Sequence, residues 1–411
     1  MKVLRTISRI TIGLVFLFSG FVKVVDPMGS KFKFDDYFAA FGMEWFIPFA
    51  LFFGIVLSIM EFATGFALIA NLFTRFFSWI TLLFMSFFTI LTFILALTNP
   101  VSDCGCFGDA IVLTNWQTFF KNLIFIVPTI ILFVNRIKYS SRCNKAGSFL
   151  QFIFIIGVAL YIALHSLFTL PLIDFRAYRV GQNIVLNSKE HLLGAPQAIF
   201  ETCLIYEKNG EHKSFDLNNL PDSTWKWVET INSQIAEGYI PPAKDLNLSD
   251  IHGNDYTTPL FQNQEPVLMS LVLDMESLSD SQLENYNQIA VQCLSNNIYF
   301  ALLTSTSPDV IEQIQARFQP TYKILNADPI VLKTMIRSDG GFIFTYKGTI
   351  LKKWGANDFP DVMTLNEYTM IKSAATTGNA KPLQAVMWYM LLFLSVALFF
   401  DWIALSLRSR I

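Results

Sequence analysis

Charge is what this sequence has least of. Charged residues make up 15 % of the chain, against about 25 % in an average soluble domain. The formal net charge is −2, with no basic stripe of the kind that nucleic acid requires, so a nucleic-acid partner is excluded. Cysteine is also scarce. Five in 411 residues cannot staple a disulfide-rich secreted scaffold, and an odd number leaves one unpaired within the chain. There are four histidines, and His165, His191, His212 and His252 are scattered. Phosphate loop, nucleophile elbow and paired-histidine metal motif are all missing. What is abundant is apolar: 53 % of residues are hydrophobic and 41 are Phe.

That apolar content is concentrated in runs. A spanning helix needs about 20 mostly apolar residues, and six stretches qualify: 7–25, 46–70, 76–97, 117–135, 148–170 and 384–405. The first follows Lys2 and Arg5 as a secretory signal would. It runs on into Lys23 and Asp26 without a small-residue cleavage pattern, and reads as an uncleaved anchor. Basic residues mark the cytoplasmic side. Lys2, Arg5 and Arg9, then Arg75, then Arg136, Lys138, Arg142 and Lys145, then Arg408 and Arg410 all fall on one side if six helices alternate. The expectation is a multi-pass protein of a bacterial inner (cytoplasmic) membrane, in contact with lipid. Both termini are then cytoplasmic, and segment 171–382 is periplasmic. In the first outer loop, 27–45, apolar residues every three or four positions suggest a helix lying in the interface, or else an ordered loop packed on the bundle.

Between the third and fourth runs lies the one stretch dense in reactive groups, Asp103-Cys104-Gly105-Cys106-Phe107-Gly108-Asp109. A disulfide across one intervening residue closes a small strained ring, and strained exposed disulfides are the oxidising ones. Gly105 permits the tight turn. By like charge, Asp103 and Asp109 are expected to raise the thiol pKa values. Three readings of Cys104 and Cys106 stay open: a redox pair, two soft ligands for Cu(I) or Zn, and a structural staple. The absence of nearby histidine weakens the metal reading, and no metal ligand is assigned. Lys23 and Glu61 fall within spans, where ionisable groups are functional candidates. They can pair only if their helices bring them to one depth, and Lys23 can equally snorkel. Asp401 reads as an interfacial acid. Cys143 falls in the basic turn, while Cys203 and Cys293 read as core thiols rather than a bridge.

From Pro171 the composition becomes that of a soluble protein. Strands are expected at 198–206 and 211–215 across an Asn-Gly turn. Residues 264–354 alternate strand and helix, as in an α/β layer. Ser279 and Gln282 form a capping box there, and Ser307-Pro308-Asp309 begins a second helix. Residues 374–379 read as a linker.

Two resemblances follow from these residues. The cysteine stretch, with Phe18-Ser19-Gly20-Phe21-Val22-Lys23-Val24-Val25-Asp26-Pro27, resembles the DoxX/MauE group of four-helix membrane proteins. That resemblance implies a redox-associated module that matures, or handles disulfides of, an extracytoplasmic protein partner, and for DoxX relatives it implies quinone coupling. Segment 264–354 is similar to a thioredoxin-like domain, but Asp274-Met275-Glu276-Ser277 stands where Cys-x-x-Cys would be, and Ser338-Asp339-Gly340-Gly341 where the cis-proline would be. No thiol chemistry carries over to that domain.

The resulting expectation is a mixed fold. A four-helix DoxX/MauE-like transmembrane bundle (1–145) is followed by a fifth span (146–171), a small β-rich segment (172–263), a thioredoxin-like domain lacking Cys-x-x-Cys (264–373) and a linker with a sixth span (374–411). The expected function is thiol–disulfide exchange at Cys104 and Cys106, with Asp103, Gly105, Gly108, Asp109, Lys23 and Glu61 in support. A quinone is the only cofactor implied. The alternatives are a non-catalytic scaffold that docks through its outer domain and, on Lys23 and Glu61 alone, a solute transporter.

Overall fold

A computed structural model describes residues 2–408 except 102, 140–144, 189–198, 209, 218, 237–238, 240, 242, 244 and 366–381. Cys143, His191, the 374–379 linker, the side chain of Asp401 and Arg410 lie outside the described residues.

The N-terminal third is a helix bundle. Helices α1 (Lys2–Val25), α2 (Pro27–Ala40), α3 (Ala50–Ile69, entered through the 3₁₀ turn Glu44–Phe49), α4 (Thr74–Thr98), α5 (Asn115–Val134) and α6 (Lys145–Phe168) follow one another. Among the described residues, five helices are long and apolar enough to cross a membrane: Lys2–Val25, Glu44–Ile69, Thr74–Thr98, Asn115–Val134 and Ala146–Phe168. The last helix, Pro382–Arg408, is described as apolar over Pro382–Phe393. It packs on α1 and α3, with Phe21 5.4 Å from Tyr389 and Phe62 5.1 Å from Phe393, ring centre to ring centre.

Helices α1 and α3 are the tightest pair because glycine removes the side chains between them. A Cβ on Gly20 would strike the Phe62 backbone, and one on Gly65 would strike the Leu17 backbone. Small residues let helices approach this closely in lipid, where packing replaces the hydrophobic drive. The close approach sets the register that later matters for Ser19, Lys23 and Glu61.

The two ends of the bundle differ. At one end the Arg9 guanidinium donates to the terminal carbonyls of Leu68 and Ile69, and the Tyr139 hydroxyl donates to Arg5 O at 2.8 Å. At the other end sit α2, the α4–α5 loop and the region between α6 and the last helix that carries Lys333 and Arg337.

That region is α/β. A six-stranded sheet runs in the order β4 (Leu248–Ser249), β7 (Lys323–Ala327), β6 (Tyr299–Thr304), β5 (Val267–Val272), β8 (Gly341–Tyr346), β9 (Thr349–Trp354). Strands β5, β6 and β7 are parallel to one another, β8 runs antiparallel to β5, and β9 turns back along β8 to complete a hairpin. Side chains alternate across a strand, so the sheet feeds two cores. Leu268, Val272, Phe300 and Phe344 pack under α9 (Asp280–Ser295) and α10 (Pro308–Phe318). Met269, Leu271, Leu303 and Ile343 pack with α7 (Ile184–Ser188), α8 (Thr257–Phe261) and α11 (Pro329–Met335).

The start of α9 carries the capping box expected at Ser279 and Gln282. Helix α11, which the sequence reading passed over, is capped by Asp328 onto Ile330 and Val331 with Pro329 in its first turn. A separate sheet of β1 (Ile199–Lys208), β2 (Glu211–Asp216) and β3 (Lys226–Ala236) has the order β2-β1-β3, all antiparallel.

Candidate functional site

Building from the loop outward, Asn99 ends α4 in the left-handed conformation, φ 48°. The Asn115 amide donates to Asn99 Oδ1 and Val101 O, both at 2.8 Å, closing the loop at its base. The Gly105 N–H donates to Asp103 Oδ1 at 2.8 Å, and Gly105 has φ +64°. Any Cβ there would also meet the Lys33 side chain at 3.0 Å, so both the backbone and the space demand glycine. Gly108, also at positive φ, donates to Gly105 O at 3.1 Å and starts the turn Gly108–Ala110 that carries Asp109.

The loop holds both cysteines as free thiols with their sulfurs 2.7 Å apart. Cys104 is 7 % exposed, and the Tyr37 hydroxyl of α2 donates to its carbonyl at 2.9 Å. Beneath the pair, Lys23 donates to both carboxylate oxygens of Glu61, at 2.9 and 2.7 Å. The Ser19 hydroxyl reaches Cys106 O at 2.6 Å and Glu61 Oε2 at 2.8 Å. Thus α1 and α3 bring Ser19, Lys23 and Glu61 to one depth, directly against the thiol loop.

Cys104, Cys106, Lys23 and Glu61 all line one cavity of about 350 Å³. Most of its remaining wall is apolar, with Phe16, Phe84, Phe88 and Leu91 in it, and Lys33, Asp109 and Lys121 add further charge. A cavity of this size and mixed lining fits a small, largely apolar molecule.

Residues 1–135 match the family model described as methylamine utilisation protein MauE. The membrane region is MauE-like. Residues 200–237, essentially the three-stranded sheet, match a model described as Domain of unknown function (DUF8463). No curated protein matches the chain.

The charges around the MauE-like loop differ from the sequence expectation. Asp103 and Asp109 do not act on the thiols as free anions. Lys33 pairs with Asp103 at 2.7 Å and Arg337 with Asp109 at 2.6 Å. The Cys106 thiol is lowered to about 6, first because Cys104 donates to its sulfur and then because Lys121 and Lys23 stand near, outweighing burial. The Cys104 thiol is raised by that same contact with Cys106 and by burial. The pair therefore has one sulfur ready as thiolate and one that keeps its proton.

Sequence reasoning missed Ser19 and Lys33 here, and with them Lys121, Tyr37 and Arg337. Lys121 of α5 places its ammonium 4.3 Å from the Phe107 ring centre, and as an ionisable residue inside an apolar run it gave the same signal as Glu61. Tyr37 and Arg337 gave none. Arg337 comes from the α/β region, where its guanidinium also reaches Asp26 Oδ2 at 3.0 Å and Lys333 O at 2.8 Å.

The remaining thiols are elsewhere. Cys293 is fully buried in α9, and burial pushes it up to about 12. Cys203 lies half-buried on β1, near Glu201 and Asp216. Both are free.

Proposed function

We propose that this MauE-like membrane protein is a redox-associated accessory protein, in which Cys104 and Cys106 exchange electrons with an extracytoplasmic protein partner. The observation that carries this reading is the pair of free sulfurs 2.7 Å apart, set against the buried Lys23–Glu61 pair; the opposite shifts of the two thiols, Cys106 lowered and Cys104 raised, support it. A thiolate that attacks and a thiol that resolves is the division of labour that disulfide exchange requires. In the oxidising direction the Cys104–Cys106 disulfide is attacked by a partner thiolate. The second partner thiol then resolves the mixed disulfide, leaving a partner disulfide and two thiols here.

Those two thiols must pass their electrons on. The cavity beside them supports a quinone as acceptor, held by the apolar walls near Lys23 and Glu61. A quinone held there would supply a two-electron, two-proton acceptor, so that Cys104 and Cys106 could return to their disulfide. The description of the matched family supports a place for this accessory role in methylamine utilisation.

The α/β region is read as thioredoxin-like, on the strand order β6-β5-β8-β9 with a parallel β5–β6 pair and a terminal hairpin. It lacks a cysteine pair and serves to dock. The basic groups Arg5, Arg9 and Arg136 at the opposite end of the bundle support an orientation with the thiol loop and the α/β region periplasmic, and the termini cytoplasmic, in a bacterial inner membrane.

The test is alkylation of Cys104 and Cys106 in intact membranes before and after reductant, joined to partner capture. Cys104→Ser leaves the Cys106 thiolate without its resolving thiol; running the exchange in reverse, it attacks the disulfide of the oxidised partner, expels one partner thiolate and is expected to accumulate as the mixed disulfide. Cys106→Ser is expected to capture nothing. Thiols that react identically with and without reductant, in a protein that captures no partner, would leave a scaffold.

A further inference from the structure

Arg337 ties three separate parts of the chain together. Its Nε donates to Asp26 Oδ2 at 3.0 Å, and Asp26 in turn caps α2 by accepting from Gly29 N at 2.9 Å. Its Nη2 donates to Asp109 Oδ2 at 2.6 Å, on the turn that begins two residues after Cys106. Its Nη1 donates to Lys333 O at 2.8 Å, which anchors the guanidinium to the end of α11. The side chain is only 7 % exposed.

Around this clasp, Lys333 and Arg337 both lie over the Phe32 ring of α2, at 5.0 and 5.2 Å from its centre. A second tie runs through the segment after α6: Asp174 pairs with Arg176 at 2.8 Å and with Lys353 of β9 at 2.9 Å. Burial opposes ionisation of Asp174, yet Lys353 and Arg176 hold its carboxyl well below the usual range. The α/β region is thus seated on α2 and on the turn that follows the thiol loop, beside a Cys104 that is buried and a Cys106 that is half-buried. The cavity, by contrast, reaches both cysteines from within the bundle.

We propose that Arg337 is a specificity-determining residue: by bridging Asp26 and Asp109 it holds the α/β region shut over the thiol loop. In this closed form only small membrane-soluble molecules reach Cys104 and Cys106, through the cavity, and a protein partner is admitted when the clasp opens. The inference rests on the exchange reading above for its purpose, but not for its geometry. Arginine suits the role because its planar fork serves two carboxylates at once, whereas a lysine is a point donor. Removing either side of a buried, hydrogen-bonded charge pair leaves the other charge uncompensated.

The experiment uses the full chain in its membrane, reduced, in a background carrying Cys143→Ser, Cys203→Ser and Cys293→Ala so that only the loop thiols report. Two alkylating agents are compared: N-ethylmaleimide and a maleimide carried on a polyethylene glycol chain. In the parent, the small reagent is expected to label and the bulky one to be excluded. Arg337→Ala is expected to raise bulky labelling by roughly thirtyfold or more, the least that loss of one member of such a pair shifts an equilibrium. The small-reagent rate should change far less, and Arg337→Lys should fall between parent and alanine variant.

Asp109→Asn breaks the clasp from the loop side while leaving the α/β region untouched, and should admit the bulky reagent as Arg337→Ala does. If Arg337→Ala does not accumulate in the membrane, Asp109→Asn decides alone. Bulky reagent reaching the parent thiols freely, or excluded as completely in Asp109→Asn as in the parent, overturns the proposal. Labelling needs no partner, so a failure to capture a mixed disulfide would remove the exchange reading and leave the clasp standing.

Discussion

The bundle and the α/β region solve opposite problems with the same residue types. In the α/β region, apolar side chains such as Leu268, Leu302 and Phe344 are fully buried and the Asp280–Arg317 pair lies outside. In the bundle, Leu83, Ile90 and Val134 point outward, while Glu61, Thr92 and Asn122 are buried. A buried position makes an ion pair expensive to leave half-made, and an exposed one does not. That is why the Lys23–Glu61 pair, buried against the thiol loop, marks a site, whereas Asp280–Arg317 is surface decoration.

Breaking the inner pair tests this difference most severely. Glu61→Ala leaves the Lys23 ammonium without its carboxylate, and is expected to destabilise the bundle by about 3–5 kcal/mol. Lys23→Met combined with Glu61→Leu should cost much less, because no unpaired charge remains. Reversible unfolding in detergent, followed for the single and double variants, measures both. A double variant as unstable as the single one would show that the charge was not the issue.

Next in size is the contact that creates the pair's register. Gly65→Ala forces a methyl into the Leu17 backbone, and overpacking of this kind costs about 1–3 kcal/mol. The same unfolding assay reads it. The change also pushes α1 from α3, so Lys23 should become more accessible to amine-directed reagents. An alanine here that stabilises the protein would mean α1 and α3 are not the close pair described.

The thiol loop gives a smaller and more specific effect. With Cys106 lowered to about 6, its thiolate is present above that pH and lost as pH falls through it. The iodoacetamide rate should therefore rise to half its plateau near pH 6. Lys121→Gln removes an attracting cation, so the midpoint should move upward, by about one unit or less, where one unit corresponds to 1.36 kcal/mol. A wild-type midpoint near the ordinary thiol value of about 8.5 would return the loop to the sequence expectation, in which Asp103 and Asp109 govern it.

For Cys106 that expectation failed, and for Cys104 the rise has another cause, for a reason with general force. The sequence shows which ionisable residues are neighbours along the chain, and Asp103 and Asp109 are the neighbours of Cys104 and Cys106. It does not show that Lys33 and Arg337 neutralise them, because those partners lie 70 and 228 residues away in sequence. Local patterns were legible: the capping box at Ser279 and Gln282, the strand–helix alternation across 264–354, and the glycine the loop turn needs. The cap and proline at Asp328-Pro329 carried the same information as Ser307-Pro308 and went unused. Lys23 and Glu61 were singled out by their cost in an apolar run. Their pairing depended on Gly20 and Gly65 meeting across two helices, which no spacing in a single strand of sequence announces.

The outer ion pair sets the lower bound of the comparison. Asp280–Arg317 has a short separation, 2.5 Å, but its side chains are 68 % and 64 % exposed, against 6 % and 11 % for Glu61 and Lys23. Water already solvates both partners of the outer pair, so little is gained by their meeting, and salt screens what remains. Asp280→Asn should therefore change the stability of the α/β region by less than about 0.5 kcal/mol, and less still at high ionic strength. Thermal unfolding at low and high salt reads this directly. A cost comparable to that of Glu61→Ala would mean that distance, not burial, sets the energy of an ion pair in this protein, and the reason for singling out the inner pair would be lost.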